Sequence, residues 1–132
     1  MKKIFLVLIT ALVATGCAEK TEYEQVVLEQ MAKDKDIQDY KIDPQIMVKC
    51  VVETSSKNMP GLVPFDPERR QAYINYTKML KLNESGDPKK TLDELREIFG
   101  SPKGLADAHA NYSESVYECV SDLVTRKEEP QQ

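Results

Sequence analysis

The sequence predicts an all-α fold, a small bundle of about five short helices, from three observations. Apolar residues recur at intervals of three and four along successive stretches, and none shows the sustained apolar/polar alternation of a half-buried strand. The dipeptides Asp43-Pro44, Asp66-Pro67, Asp87-Pro88 and Ser101-Pro102 each join a capping side chain to a proline, which loses no needed hydrogen bond in a first helical turn. Size and balance agree: 132 residues, with 18 Lys+Arg against 22 Asp+Glu and 41% apolar residues, suit one compact domain and exclude a collagenous or wholly disordered chain.

Met1, Lys2 and Lys3 form a positive start, followed by the uncharged residues 4–14 (IFLVLITALVA). That run is too short to span a bilayer as a helix, which takes about 20 residues. It closes on Ala14-Thr15-Gly16-Cys17, small residues directly before a cysteine. The ending resembles the lipobox of bacterial lipoprotein precursors, with Ala14 where leucine is usual and Thr15 where alanine or serine is. The resemblance covers residues 1–18. It implies a signal peptide over residues 1–16, cleavage between Gly16 and Cys17, a diacylglyceryl group on the Cys17 thiol and a further acyl chain, such as palmitate, on its amine. Ala18 follows the cysteine where an aspartate would commonly retain a Gram-negative lipoprotein at the inner membrane. The implied location is therefore the periplasmic face of the outer membrane, held through the anchor on Cys17. One acyl chain binds only marginally, whereas several on one residue anchor stably. Loss of Lys2 and Lys3 leaves a chain more acidic than the net −4 of the whole, a poor nucleic-acid binder. Glu19, Glu22 and Glu24 beside the anchor offer nothing to anionic headgroups, so the body is not expected to lie flat on the membrane by electrostatics.

Residues 17–21 are expected as the lipidated terminus and a short tether. The first helix is expected over residues 22–33, because Thr21-Glu22-Tyr23-Glu24 has the capping-box pattern and Tyr23, Val26, Val27 and Met31 form one stripe. The charged residues 34–43 read as a connection. From Asp43-Pro44 the second helix runs to about Lys57, with Ile46, Met47, Cys50, Val51 and Thr54 inward, until Asn58-Met59-Pro60-Gly61 stops it. A third, from Asp66-Pro67 to about Leu82, turns Ala72, Tyr73, Tyr76, Met79 and Leu80 inward, and residues 83–87 make the next turn. The fourth starts at Asp87-Pro88 or at a second capping box, Thr91-Leu92-Asp93-Glu94. It carries Leu92, Leu95, Ile98 and Phe99 as far as Gly100. Ser101-Pro102 opens the fifth, whose stripe is Leu105, His109, Tyr112, Val116, Cys119, Val120 and Leu123. The helical domain is thus expected over residues 22–127, with a disordered polar tail at 128–132.

With Cys17 given to lipid by the resemblance, Cys50 and Cys119 remain, on the inner faces of the second and fifth helices. In an oxidising compartment such a pair favours a structural disulfide. A redox or metal role is disfavoured, since neither cysteine lies in a Cys-x-x-Cys and further ligand types are scarce. His109 is the only histidine, which removes most metal and acid/base constellations. Ser113, Ser115 and Ser121 lie within a helix, and there is no nucleophile elbow or glycine-rich phosphate loop. The scattered carboxylates read as solvated charge. The expectation is a non-enzymatic protein with no cofactor and no metal.

Two features can carry a partner. Residues 59–66 (MPGLVPFD) set Leu62, Val63 and Phe65 among two prolines and a glycine, which reads either as a plug over the end of the bundle or as an exposed recognition loop. Tyr73 and Tyr76, with Tyr112 and Tyr117, read either as core-edge filling or as the lining of a groove for a partner helix. The expected function is a lipid-anchored interaction or assembly module of the bacterial envelope. Secretin pilotins, small lipoproteins that in several families are helical bundles, are an architectural analogy only, because no motif in residues 19–132 carries a family resemblance. The alternatives are a small-ligand or lipid carrier with residues 59–65 as its lid, and an inhibitor of an envelope hydrolase with the same loop inserted.

Overall fold

The computed structural model describes residues 18–128, and among them the chain is all-α. The helices are α1 (Ala18–Lys33), α2 (Lys35–Asp39), α3 (Pro44–Ser56), α4 (Pro67–Leu80), α5 (Pro88–Ile98) and α6 (Pro102–Glu128), with a 3₁₀ turn at Leu82–Glu84. Asp43, Asp66 and Asp87 each cap the turn they precede by accepting backbone N–H, and a proline follows each, so α3 and α4 start where the sequence predicts and α5 at the first of its two expected starts. Ser101 Oγ accepts from Gly104 N–H at 2.9 Å to open α6. Gly100, at a φ of +81°, ends α5.

Two elements differ from the sequence reading. Helix α1 is already formed at Ala18, so Thr21 lies inside it and not at its start. The cause is tertiary: Glu19 Oε1 accepts from Arg70 Nε at 3.1 Å and Nη2 at 2.5 Å, which fastens the first turn to α4. Within the expected connection of residues 34–43 stands the short helix α2. Asp34 Oδ1 caps it, accepting from Asp36 and Ile37 N–H at 2.9 and 3.3 Å, and burial of Ile37 and Ile42 holds it to the core. Lys127 belongs to α6, and its Nζ donates to the Tyr40 and Lys41 carbonyls behind α2.

Helices α1 and α4 are parallel. Glu19 pairs with Arg70 near their starts, Tyr23 stacks on Tyr73 one turn further, and Lys33 meets Glu84 just beyond the end of α4. Tyr23 Oη bonds Ser55 Oγ at 3.0 Å, which places the end of α3 beside the start of α1 and makes those two antiparallel. Helix α6 runs antiparallel to α3: Asn111 bonds Ser55, Cys119 is disulfide-bonded to Cys50 with Cα atoms 5.9 Å apart, and Lys127 reaches Tyr40. The inner faces keep Met47 and Val51 of α3 and Tyr112 and Cys119 of α6 as expected, with Leu105, Val116, Val120 and Leu123 packed against the core, and depart from expectation at their edges. On α3, Met47, Val48, Val51, Val52, Ser55 and Ser56 are buried while Ile46 is exposed, because α1 packs on one flank of α3 and α6 on the other. On α6 the buried residues are Ala108, Tyr112, Ser115 and Cys119, which turns His109 to solvent.

The packed pairs are α1 with α3 and α4, α3 with α6, and α5 with both α4 and α6. Helices α4 and α6 are not a packed pair. The bundle is therefore open between them, with α5 closing one end.

Candidate partner-binding cleft and its neighbouring loop

Between α4 and α6 the surface sinks into an open cleft of about 890 Å³. Its floor is Tyr76 and Phe99, with rings 5.8 Å apart and edge-to-face, flanked by Ile98, Ala72 and Ala108. Its polar lining is amide and acid: Asn58, Gln71, Asn75 and Asn111, with Glu68, Asp107 and Glu114. No lysine or arginine is among the lining residues.

Each piece is held by the fold. Asn111 Nδ2 donates to the Ser55 carbonyl at 3.0 Å and to Tyr76 Oη at 2.9 Å, while its Oδ1 accepts from Asn58 Nδ2 at 2.9 Å. One side chain of α6 thus ties the end of α3 to Tyr76 of α4. Gly104 allows α6 to start close against α5, since a Cβ there would stand 2.1 Å from the Phe99 carbonyl oxygen. Beneath the cleft, Tyr23 stacks on Tyr73 and meets Tyr76 edge-on at 6.0 Å, and Tyr73 Oη bonds Ser56 Oγ at 3.2 Å. Burial pushes the Tyr23 phenol well above its ordinary range, and pushes Tyr76 up against the opposing hydrogen bond from Asn111, so both phenols stay protonated.

The loop of residues 59–66 flanks the cleft through Pro60 and combines both expected readings. Met59 is buried, whereas Leu62 is 92% exposed, Phe65 71% and Val63 39%. Arg69, itself buried, donates to three consecutive carbonyls, those of Met59 at 3.2 Å, Pro60 at 2.8 Å and Gly61 at 2.5 Å. Gly61 has a φ of +82°, and a Cβ there would stand 2.6 Å from Arg69 N. Asp66 caps α4 and also accepts from Leu62 N–H at 3.2 Å. The apolar tip is therefore displayed by a braced loop.

The tyrosine groove needs correction. Tyr73 is buried in the core and cannot meet a partner, and Tyr76 shows only an edge to the cleft. Tyr112 is buried on α6, and Tyr117 is exposed outside the cleft lining, so the four tyrosines line no common groove. Packing against α1 buries both α4 rings. Sequence reasoning missed Arg69, Asn58, Asn111 and Phe99 as site residues. Asn111 alone left a trace, as an amide next to the apolar stripe of α6.

Cys17, the signal peptide expected over residues 1–16 and residues 129–132 of the expected tail lie outside the described residues. Among the described residues no group of three or more His, Cys, Asp or Glu could hold a metal ion, and no helix is long and apolar enough to cross a membrane. The chain matches no protein-family model, no curated protein and no solved structure.

Proposed function

We propose that this is a lipid-anchored, non-enzymatic interaction module of the bacterial envelope, attached through Cys17 at the periplasmic face of the outer membrane, and that the α4/α6 cleft receives its protein partner. The observation that carries the reading is the cleft itself, a braced apolar floor ringed by amides and carboxylates. Apolar ground with a few oriented polar groups supplies both the desolvated centre and the register of a protein interface. The side chains with depressed or raised proton affinity are ion-paired surface groups or buried tyrosines, which supports a binding role over an acid/base one. The acidic lining favours a segment carrying lysine or arginine. In its plan of a lipidated, disulfide-stapled bundle the protein is like the pilotins by analogy only.

The test is photocrosslinking in cells from Gln71 and from Ala110, on opposite walls of the cleft, with Ile74, exposed on α4 outside the cleft lining, as control. A discrete protein adduct from both walls, absent at Ile74 and lost on Ala110→Arg, is expected. Absence of any adduct from a folded, membrane-bound protein overturns the reading, and a copurifying small molecule displaced by Ala110→Arg replaces it with a carrier. Cys17→Ser should release the domain from the membrane without unfolding it.

A further inference from the structure

The loop beside the cleft has a position that the partner reading does not use. Because α1 and α4 run parallel, with Glu19 on Arg70 at their starts, the residues that lead into α4 sit at the same end of the bundle as Ala18. The end of α3 lies there too, through Tyr23 and Ser55, so the whole α3–α4 loop is at that pole. Consecutive Cα atoms are about 3.8 Å apart, and α1 is already helical at Ala18, so an anchor on Cys17 enters the bilayer with almost no slack between it and this pole.

We propose that Leu62 and Phe65 are a second membrane contact, seating the domain in the lipid surface that the Cys17 acyl chains enter. The inference rests on the anchored reading of Cys17. Exposed side chains alone would suit a protein or a lipid; the place of the loop at the anchored pole favours lipid. Chain that dips beneath the headgroups gains from satisfying its polar groups internally, because hydrocarbon offers no partners. Here the Met59, Pro60 and Gly61 carbonyls all turn onto Arg69, Leu62 N–H is taken by Asp66, and Asp66 N–H by the Val63 carbonyl. Pro60 and Pro64 have no N–H to satisfy. The base of the loop is thus braced from within, and Leu62 and Phe65 project from it as exposed apolar side chains. Arg70 and Lys20, near the same pole, are paired with Glu19 and Glu24, so the seat is apolar in kind and does not depend on anionic headgroups.

The seat orients the molecule. A single acylated residue is a swivel, whereas an anchor plus an apolar loop at the same pole defines an axis, with α2 and Tyr40 at the membrane-distal end and the side-facing cleft held at a fixed height.

The chain has no tryptophan, so one placed in the loop reports alone. Acylated full-length Phe65→Trp, Leu62→Trp and, as a distal control, Tyr40→Trp would be reconstituted into phosphatidylethanolamine/phosphatidylglycerol vesicles with and without brominated acyl chains. Anchorage is read separately, by vesicle flotation and by the mass of the amino-terminal peptide. Blue-shifted emission quenched by bromolipid at positions 65 and 62, but not at 40, is the expected result. An acylated protein that floats while 65 and 62 remain unquenched overturns the seat and leaves the anchor standing. A protein with no acyl group on Cys17 overturns both. Blue-shifted emission without lipid quenching also overturns the seat, because the tryptophan is then covered by the protein itself or by a second copy.

Discussion

Reduction of the Cys50–Cys119 bridge tests how the cleft is built. The bridge joins α3 to α6 with a sequence separation of 69. Closing a loop of that length in the unfolded chain removes entropy equivalent to about 4 kcal/mol at 25 °C. At roughly 4 °C per kcal/mol for a domain near this size, that corresponds to a fall of about 15 °C in the melting midpoint. The folded state itself loses little, because the Cys119 sulfur is fully buried and Thr54 Oγ1 stands 3.7 Å away as a partner for the thiol. Most of the effect should therefore act through the unfolded ensemble. The assay compares thermal unfolding of the oxidised protein, of protein reduced in denaturant and refolded under reductant, and of the Cys50→Ala/Cys119→Ala variant. Amide exchange, followed in parallel, should lose protection first in α6, whose packed neighbours are α3 and α5 alone. Midpoints for oxidised and reduced protein that agree within about 3 °C would refute the loop-closure argument.

Three further outcomes follow from the same geometry. Arg69→Met should destabilise the domain by about 2–3 kcal/mol in urea unfolding, because three carbonyls lose a charged donor in a partly buried site, and Gly61→Ala should act in the same direction by about 1–2 kcal/mol. Tyr112→Phe should be neutral or stabilising by up to about 1 kcal/mol, since the Tyr112 hydroxyl is buried without a partner among the described residues; a clear loss of stability would mean that the hydroxyl is bonded. The hydrogen bond from Arg70 lowers the Glu19 pKa below its ordinary 4.5. Its contribution is therefore present above pH 4.5 and lost as the pH falls through the lowered value, so the melting curves of the parent and of Glu19→Gln should differ near neutrality and converge in acid.

Helix starts were legible because their signals are local. Asp43, Asp66, Asp87 and Ser101 each act on N–H groups two or three residues away, and a proline fixes the backbone beside each. The start of α1 was not, because Glu19 is held by Arg70 across 51 residues of sequence. The inner faces of α3 and α6 were read correctly at their centres, where Met47, Val51, Tyr112 and Cys119 are buried, and not at their edges: Ile46 and His109 are exposed and Val48 and Ala108 buried, since a helix flanked on two sides needs a wider stripe than spacing alone reveals. Among the proposed contact residues, the exposure of Leu62 and Phe65 was one of two open readings and Tyr73 was misplaced, both settled by which neighbour covers the side chain.

By itself the sequence determined the all-α class, four helix starts, the polar turns and the two cysteines that could meet across the bundle, for these depend on backbone preferences and periodicity within a few residues. The tertiary structure decided the rest. That α1 and α4 are parallel, that α4 and α6 stand apart to leave a cleft, and that Arg69 gathers three carbonyls to display Leu62 and Phe65 are results of packing between segments distant in the chain. Such contacts are chosen by the shape and polarity of the surfaces that remain once the helices have formed, and no local pattern records them.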